Sequence, residues 1–279
     1  MLIKSNINSQ ICTICIYNDL IYTGSYKIHD NIRSGNIEIY NFDLKLLNFA
    51  NTSGTFDLKV LNDFLYVASS EYVMKFNLKL ELIVQYKTSY LNTFIHINNK
   101  IYVSTSIGAI DAYDYNLNKL FTIQISNDIL WSIIIHENLL YCGGEDAILY
   151  CINLENNNIL KKITFENGIT SLFIDNGLIV GSYGEYVYKF DFNLENHIKY
   201  FIGCGIWRII KYNSNYFISC MYEGVKIFSN CFDLVYEYKV GDLIYGIDIC
   251  DNGIFFAQFY KKSFFKLLIK KFNFFVIVY

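Results

Sequence analysis

A five-residue hook recurs along the chain, and its recurrence limits the possible folds more than any other feature. Each copy is a short apolar run ending in small residues: Ile21-Tyr22-Thr23-Gly24-Ser25, Leu65–Ser69, Ile101–Thr105, Leu140–Gly144, Leu178–Ser182, Tyr216–Cys220 and Ile254–Gln258. The copies are 36 to 44 residues apart, and the last three steps are 38 each. Turn dipeptides precede nearly every hook, among them Asn18-Asp19, Asn62-Asp63, Asn176-Gly177 and Asn252-Gly253. Between apolar runs such pairs signal hairpins. A second alternating run follows, as in Tyr186–Asp191, and then a third, as in His197–Ile202. Counting the run before the turn, each repeat holds four strands. A four-stranded repeat of about 40 residues predicts an all-β, seven-bladed β-propeller of the WD40 type, with four antiparallel strands per blade. It forms a single domain over 1–279. The Trp-Asp dipeptide of such repeats is replaced by Phe42-Asp43, Tyr113-Asp114 and Phe190-Asp191.

Composition agrees with this reading. The chain is rich in Ile, Tyr, Phe and Val, which fit a pleated, half-buried surface, and it lacks Pro. A net charge of −3 with scattered Lys argues against an electrostatic nucleic-acid surface. No apolar run reaches spanning length, since Lys266, Lys270 and Lys271 break the final one, so no membrane association is expected. The first residues lack the pattern of a secretory signal, and the eight Cys read as free, mostly buried thiols of a cytoplasmic protein. Cys12-Thr13-Ile14-Cys15 is formally C-x-x-C, but residues three apart on a strand face opposite ways, so it carries no metal. A monomer without metal or cofactor is expected.

The last blade needs an outer strand, which either Phe274–Tyr279 or the residues around Leu2–Lys4 can supply. The more apolar C-terminal run is favoured. The longest step carries extra residues, Lys27–Arg33, inside one hairpin, read as a surface insertion.

With strands a to d labelled outward from the centre, the b–c and d–a loops share one end of the propeller. The hooks run into b–c loops: Gly143–Asp146, Gly181–Glu185, Cys220–Gly224 and Phe259-Tyr260. Ser126–Trp131, Gly203–Arg208 and Asp242–Gly246 are d–a loops. Trp131, Trp207 and Tyr245 are in phase with the 38-residue period, with Ile169 in the corresponding place of the fifth blade. Any one of these aromatics alone reads as packing between blades. Together with Arg208 and the acidic b–c loops they predict a binding site at the channel mouth. Blades one to three offer no comparable concentration.

Several of these stretches resemble diphthine methyl ester hydrolase (also called diphthine methyltransferase), the WD-repeat enzyme family of diphthamide biosynthesis. Gly203-Cys204-Gly205-Ile206-Trp207-Arg208-Ile209-Ile210-Lys211 is similar to its Gly-Gly-Gly-Val-Trp-Arg-Ile-Lys run. Cys220-Met221-Tyr222-Glu223-Gly224-Val225-Lys226 resembles its Cys-Met-His-x-Gly-Phe-Lys stretch, and Gly181–Tyr186, Tyr245–Asp248 and Cys142–Asp146 resemble three further loops. The family's His after Cys-Met is Tyr222 here, and its Asp after Phe-Tyr is Lys261. The likeness is dense over Asp128–Tyr260 and thin before it.

The resemblance implies a carboxylic ester hydrolase, a methylesterase, acting on methylated diphthine of translation elongation factor 2. Such chemistry needs an activated water or nucleophile, an oxyanion partner and a hold on the substrate. No Gly-x-Ser-x-Gly elbow is present. The candidates for the general base are Glu185, Asp146 and Glu145, with Arg208 or the Gly203–Gly205 amides facing the oxyanion. Ser182 and Cys220 are alternative nucleophiles. Singly, Asp146, Glu145 and Ser182 read as ordinary hairpin chemistry. The implied substrate carries a trimethylammonium group, for which Trp131, Tyr183, Trp207, Tyr222, Tyr245 and Tyr260 are the aromatic candidates. The four His are placed on loops or outer strands and given no role. The competing reading is a non-catalytic WD-repeat scaffold that only binds a protein partner.

Overall fold

The computed structural model describes residues 2–268, and its regular structure there is entirely strands. Seven antiparallel sheets stand in a ring. Their innermost strands are Ile11–Tyr17, Thr55–Leu61, Asn92–Ile97, Leu130–His136, Ile169–Ile174, Arg208–Tyr212 and Ile244–Cys250. Each packs against the next, and Ile244–Cys250 packs against Ile11–Tyr17 to close the ring. The chain is a seven-bladed β-propeller.

The hook explains the packing. Its apolar residues lie on the second strand of each blade, between neighbouring sheets, and Tyr22, Tyr66, Tyr102, Tyr141 and Tyr216 are at most 2% exposed. Several of their hydroxyls donate to the next blade: Tyr22 to the Leu78 carbonyl (3.4 Å), Tyr66 to Tyr115 (3.1 Å) and Tyr141 to Phe192 (2.7 Å). One side chain thus fills the inter-blade core and satisfies a turn carbonyl. Around the channel, side chains of one blade likewise accept N–H groups from the innermost strand of the next. Asp57 accepts from Ile95 (3.1 Å), Ser132 from Leu172 (3.1 Å), Ser171 from Ile209 (3.0 Å) and Asp248 from Ile16 (2.7 Å). These bonds answer the free edge that each innermost strand would otherwise present.

Three sequence expectations need correction. The outer strand of the seventh blade is Leu2–Asn6, paired antiparallel with Ser263–Leu267 from Leu2↔Leu267 to Asn6↔Ser263, so the N-terminal alternative closes the ring. Phe274–Tyr279 lies outside the described residues. Its greater hydrophobicity misled the reading, because an outer strand is half solvated and does not require a continuous apolar run. The substitute for Trp-Asp in the first blade is Tyr40-Asn41, because Asn41 Oδ1 accepts the N–H groups of Asp43 and Lys45 (both 3.0 Å). Asp114 does the same in the third blade, accepting from Asn116 (2.8 Å) and Asn118 (2.9 Å). Finally, His96 and His136 lie on innermost strands. Burial, and after it the charge of Lys59, pulls the pKa of His96 down to about 4.

The insertion forms a hairpin of its own. Lys27–His29 pairs with the start of Ile32–Tyr40, from Lys27↔Ser34 to His29↔Ile32, and Asp30 and Asn31 take the left-handed φ that a tight turn demands.

Candidate functional site

The b–c and d–a loops meet at one end, as expected, held by a repeated backbone bond. The N–H just past the second strand donates to a carbonyl of the d–a loop: Tyr26 to Gln10, Ser70 to Gly54, Ser106 to Leu91, Glu145 to Ile129, Tyr183 to Gly168 and Phe259 to Leu243.

Inside this collar, β-bulges place side chains at the channel mouth. The register between first and second strands slips at Ile11/Thr13, Thr55/Asp57, Asn92/Phe94, Leu130/Ser132, Ile169/Ser171 and Ile244/Ile247. The residues left unpaired are Cys12, Phe56, Thr93, Trp131, Thr170 and Tyr245-Gly246, and a bulge re-aims such a residue away from the ladder. In the sixth blade Trp207 and Arg208 share Ser219, whose carbonyl accepts one N–H (2.9 Å) and whose hydroxyl accepts the other (3.0 Å).

The result is a cavity of about 250 Å³ to which the bulged Cys12, Phe56, Thr93, Trp131 and Tyr245 contribute. Tyr26, Tyr183, Trp207, Arg208, Met221, Tyr222 and Leu243 complete the lining. Its aromatic rings run on from one another. Trp207 is 4.5 Å from Tyr245, 5.5 Å from Trp131 and 6.3 Å from Tyr183, centroid to centroid. Tyr245 leads through Phe259 (5.1 Å) and Tyr26 (5.0 Å) to Phe56 (4.7 Å).

Arg208 reaches across the channel. Its guanidinium lies 4.8 Å from the centre of the Phe94 ring of the third blade and 5.6 Å from that of Trp207. Nη1 donates to the Thr170 carbonyl (3.1 Å). No ion pair of the described residues includes Arg208. Burial pulls its pKa down, and the fields of Asp57 and Cys12 oppose that shift, but a guanidinium stays charged in a protein. Asp57 gives no direct contact, because its oxygens accept from Thr13 Oγ1 (3.0 Å) and the Ile95 N–H. The floor of the cavity is therefore a cation with most of its five donors open to whatever enters.

The remaining lining is neutral. Burial, foremost, pushes Tyr245 up to about 12 and moves Tyr26, Tyr183 and Cys12 upward as well. The Cys12 thiol donates to the Thr55 carbonyl (2.8 Å).

The three candidate carboxylates separate. Glu145 is exposed and outside the lining, but it stands at the rim, accepting from Trp131 Nε1–H (2.7 Å) beside the Tyr183 hydroxyl, whose pKa its charge helps to raise. Asp146 serves its own turn, accepting from the Ile148 N–H (3.1 Å) and the Tyr150 hydroxyl (2.7 Å). Glu185 is exposed and outside the lining. Ser182 Oγ accepts the Gly184 N–H (3.1 Å) inside its loop, and Cys220 is sealed in the core with Cys204, its pKa raised by burial. Of the aromatic candidates, Trp131, Tyr183, Trp207, Tyr222 and Tyr245 line the cavity, Tyr222 while 60% exposed. Tyr260 is outside the lining, 59% exposed and packed edge-on to Phe259 at 5.2 Å.

Blades one to three contribute more than expected. Cys12, Tyr26, Phe56, Thr93 and Phe94 were missed, although the signal was available: one 38-residue step back from Trp131 lands on Thr93, and the next falls within a residue of Phe56. In the fifth blade the bulge falls one residue later, at Thr170 rather than Ile169; both are fully buried and neither lines the cavity, to which Thr170 contributes through the carbonyl that holds Arg208.

No protein-family model and no curated protein matches the chain. Among solved structures, the crystal structure of the computationally designed Ika8 protein is similar to it. The TM-score is 0.67 over 94% of this chain and 98% of that one, at 10% sequence identity. That likeness is one of fold alone.

Proposed function

We propose that this propeller is a diphthine methyl ester hydrolase, with the central cavity as its active site and elongation factor 2 as its protein substrate. The observation that carries the reading is the open guanidinium of Arg208 beneath aromatic walls. The substrate head bears a quaternary ammonium and a methyl ester on one carbon. Aromatic faces attract such an ammonium by ~0.5–2 kcal/mol each, and Trp131, Trp207, Tyr183 and Tyr245 supply them. Arg208 then faces the ester carbonyl.

The charge balance favours reaction. The bound ester is a cation beside a cation. Attack of water on the carbonyl carbon creates an oxyanion next to Arg208, so repulsion in the ground state becomes attraction in the transition state. Only an interaction that improves in this way raises the rate of the chemical step. A single well-placed oxyanion donor is typically worth ~10²–10³-fold. Glu145, oriented by Trp131, takes the proton of the attacking water and returns it to the departing methoxide as the intermediate collapses, so methanol leaves and the acid formed ionises to the solvent.

The test is to incubate purified protein with elongation factor 2 carrying the methylated intermediate and follow the modified residue by mass spectrometry. Loss of one methyl ester with release of methanol supports the reading. An unchanged substrate that nevertheless binds the propeller would favour the non-catalytic scaffold instead.

A further inference from the structure

The chain has two arginines, and neither forms an ion pair among the described residues. Arg208 is the floor of the cavity. Arg33 is the middle residue of the inserted hairpin's return strand, opposite Ile28, on the same end of the propeller, and its Nε is buried without a hydrogen-bond partner. It lines a separate groove of about 610 Å³, bounded by Ile32 and Arg33 of the hairpin, Glu71 and Lys87 of the second blade, Leu91 of the d–a loop, and Ile107 of the third blade. Ile32 is 70% and Ile107 44% exposed. Glu71, the one carboxylate of the lining, pairs with neither Arg33 nor Lys87.

Groove and cavity are neighbours. Gly54, with φ of +105°, touches both walls: a Cβ there would sit 3.1 Å from the Cβ of Tyr26, which lines the cavity, and 3.0 Å from the Ser70 hydroxyl and 3.6 Å from the Cβ of Arg33, which line the groove. A chain whose modified residue enters the cavity would cross the side chains of Tyr26 and Ser70 to reach Arg33 in the groove.

We infer that the groove holds an acidic, extended segment of the protein substrate beside its modified residue, with a carboxylate on Arg33 and Lys87 and apolar side chains on Ile32 and Ile107. Arg33 Nε is closed off, but its Nη groups are not among the buried unpartnered atoms, and a carboxylate accepting from them would make a charge-assisted bond. The hairpin thus selects the protein around the modified residue, while the cavity selects the residue itself. The inference rests on the reading that the substrate is a protein, but its test does not depend on turnover.

A fluorescein-labelled Glu-rich peptide containing Leu serves as probe, with fluorescence anisotropy at low and moderate salt. The wild type should bind it with salt-sensitive affinity. Arg33→Gln, and separately Ile32→Asp, an exposed position whose change spares the fold, should weaken binding at least about tenfold, as loss of one charge-assisted contact implies. Lys189→Gln, beside Asn176 on the fifth blade and outside both groove and cavity, should leave it within twofold. On the methylated protein the Arg33→Gln enzyme should show a raised KM at unchanged kcat. Equal binding by wild type, Arg33→Gln and Ile32→Asp overturns the inference, as does no binding by the wild type. Absence of hydrolysis by a wild type that binds the probe in this residue-specific way overturns the esterase reading alone.

Discussion

Replacing Arg208 by Met tests whether this side chain is a ligand for an anion or a strut between blades. Its protein contacts are one charged hydrogen bond to the Thr170 carbonyl and the faces of Phe94 and Trp207. The bond is worth ~1.5–3 kcal/mol and a cation over an aromatic face ~0.5–2 kcal/mol. Against these stands the desolvation of a guanidinium without a carboxylate partner, several kcal/mol per ion. Met fills the same path across the channel and regains ~0.3–1.5 kcal/mol against the rings. The variant should therefore unfold in urea between the wild-type midpoint and a midpoint raised by up to ~2 kcal/mol of stability. Hydrolysis of the methyl ester should meanwhile fall by ~10²-fold or more in kcat/KM. Stability and activity would then move in opposite directions. A variant destabilised by ~3 kcal/mol, with activity lost only in proportion to unfolded protein, would refute the argument and make Arg208 a brace.

Other expectations follow from the same geometry. Glu145→Gln should lower kcat by ~10²–10⁴-fold at nearly unchanged stability, whereas Asp146→Asn should cost ~1 kcal/mol of stability and leave kcat alone; urea melts and steady-state kinetics on the two variants separate the roles. His96 should make the fold acid-sensitive. It is held at about 4 against an ordinary 6.5, so as the pH drops below 6.5 the unfolded chain takes up the proton first, and ~3 kcal/mol is lost by pH 4. His96→Leu should remove that part of the decline, read as the difference between wild-type and variant urea midpoints at neutral and acid pH. Gly144→Ala places a Cβ against the Ile129 carbonyl and 2.7 Å from Leu130 Cα. It should cost ~1–3 kcal/mol, measurable by urea denaturation, and disturb the neighbouring Trp131–Glu145 pair.

The repeat was legible because a blade must place an apolar strand between its neighbours, and that demand recurs in the same phase along the chain. The rim aromatics Trp131, Trp207 and Tyr245 were legible for the same reason. What the period could not reveal was the bulge. One unpaired residue per blade shifts the fifth-blade bulge to Thr170 rather than Ile169, and it brings Phe56 and Cys12 to a wall that looked empty. Nor could spacing distinguish Glu145 from Asp146. They are adjacent in one loop, yet one is held at the rim by an indole from the preceding d–a loop, and the other is consumed by the next strand of its own blade. Arg208 stood out by rarity, but its reach to Phe94 spans the channel between blades far apart in sequence.

Closure by Leu2–Asn6 sets an order of assembly. These residues can pair only with Ser263–Leu267, nearly the whole length of the 279-residue chain away. At ~5–20 residues per second of synthesis, the strand waits on the order of ten to fifty seconds for its partner. Six blades can form in turn behind it while the seventh lacks its second and third strands. Until then Phe259, which follows the first of those missing strands and joins the Tyr245 ring to that of Tyr26, is absent from the rim. The site is therefore among the last parts of the molecule to become whole, and a partly made chain holds no functioning fraction of it.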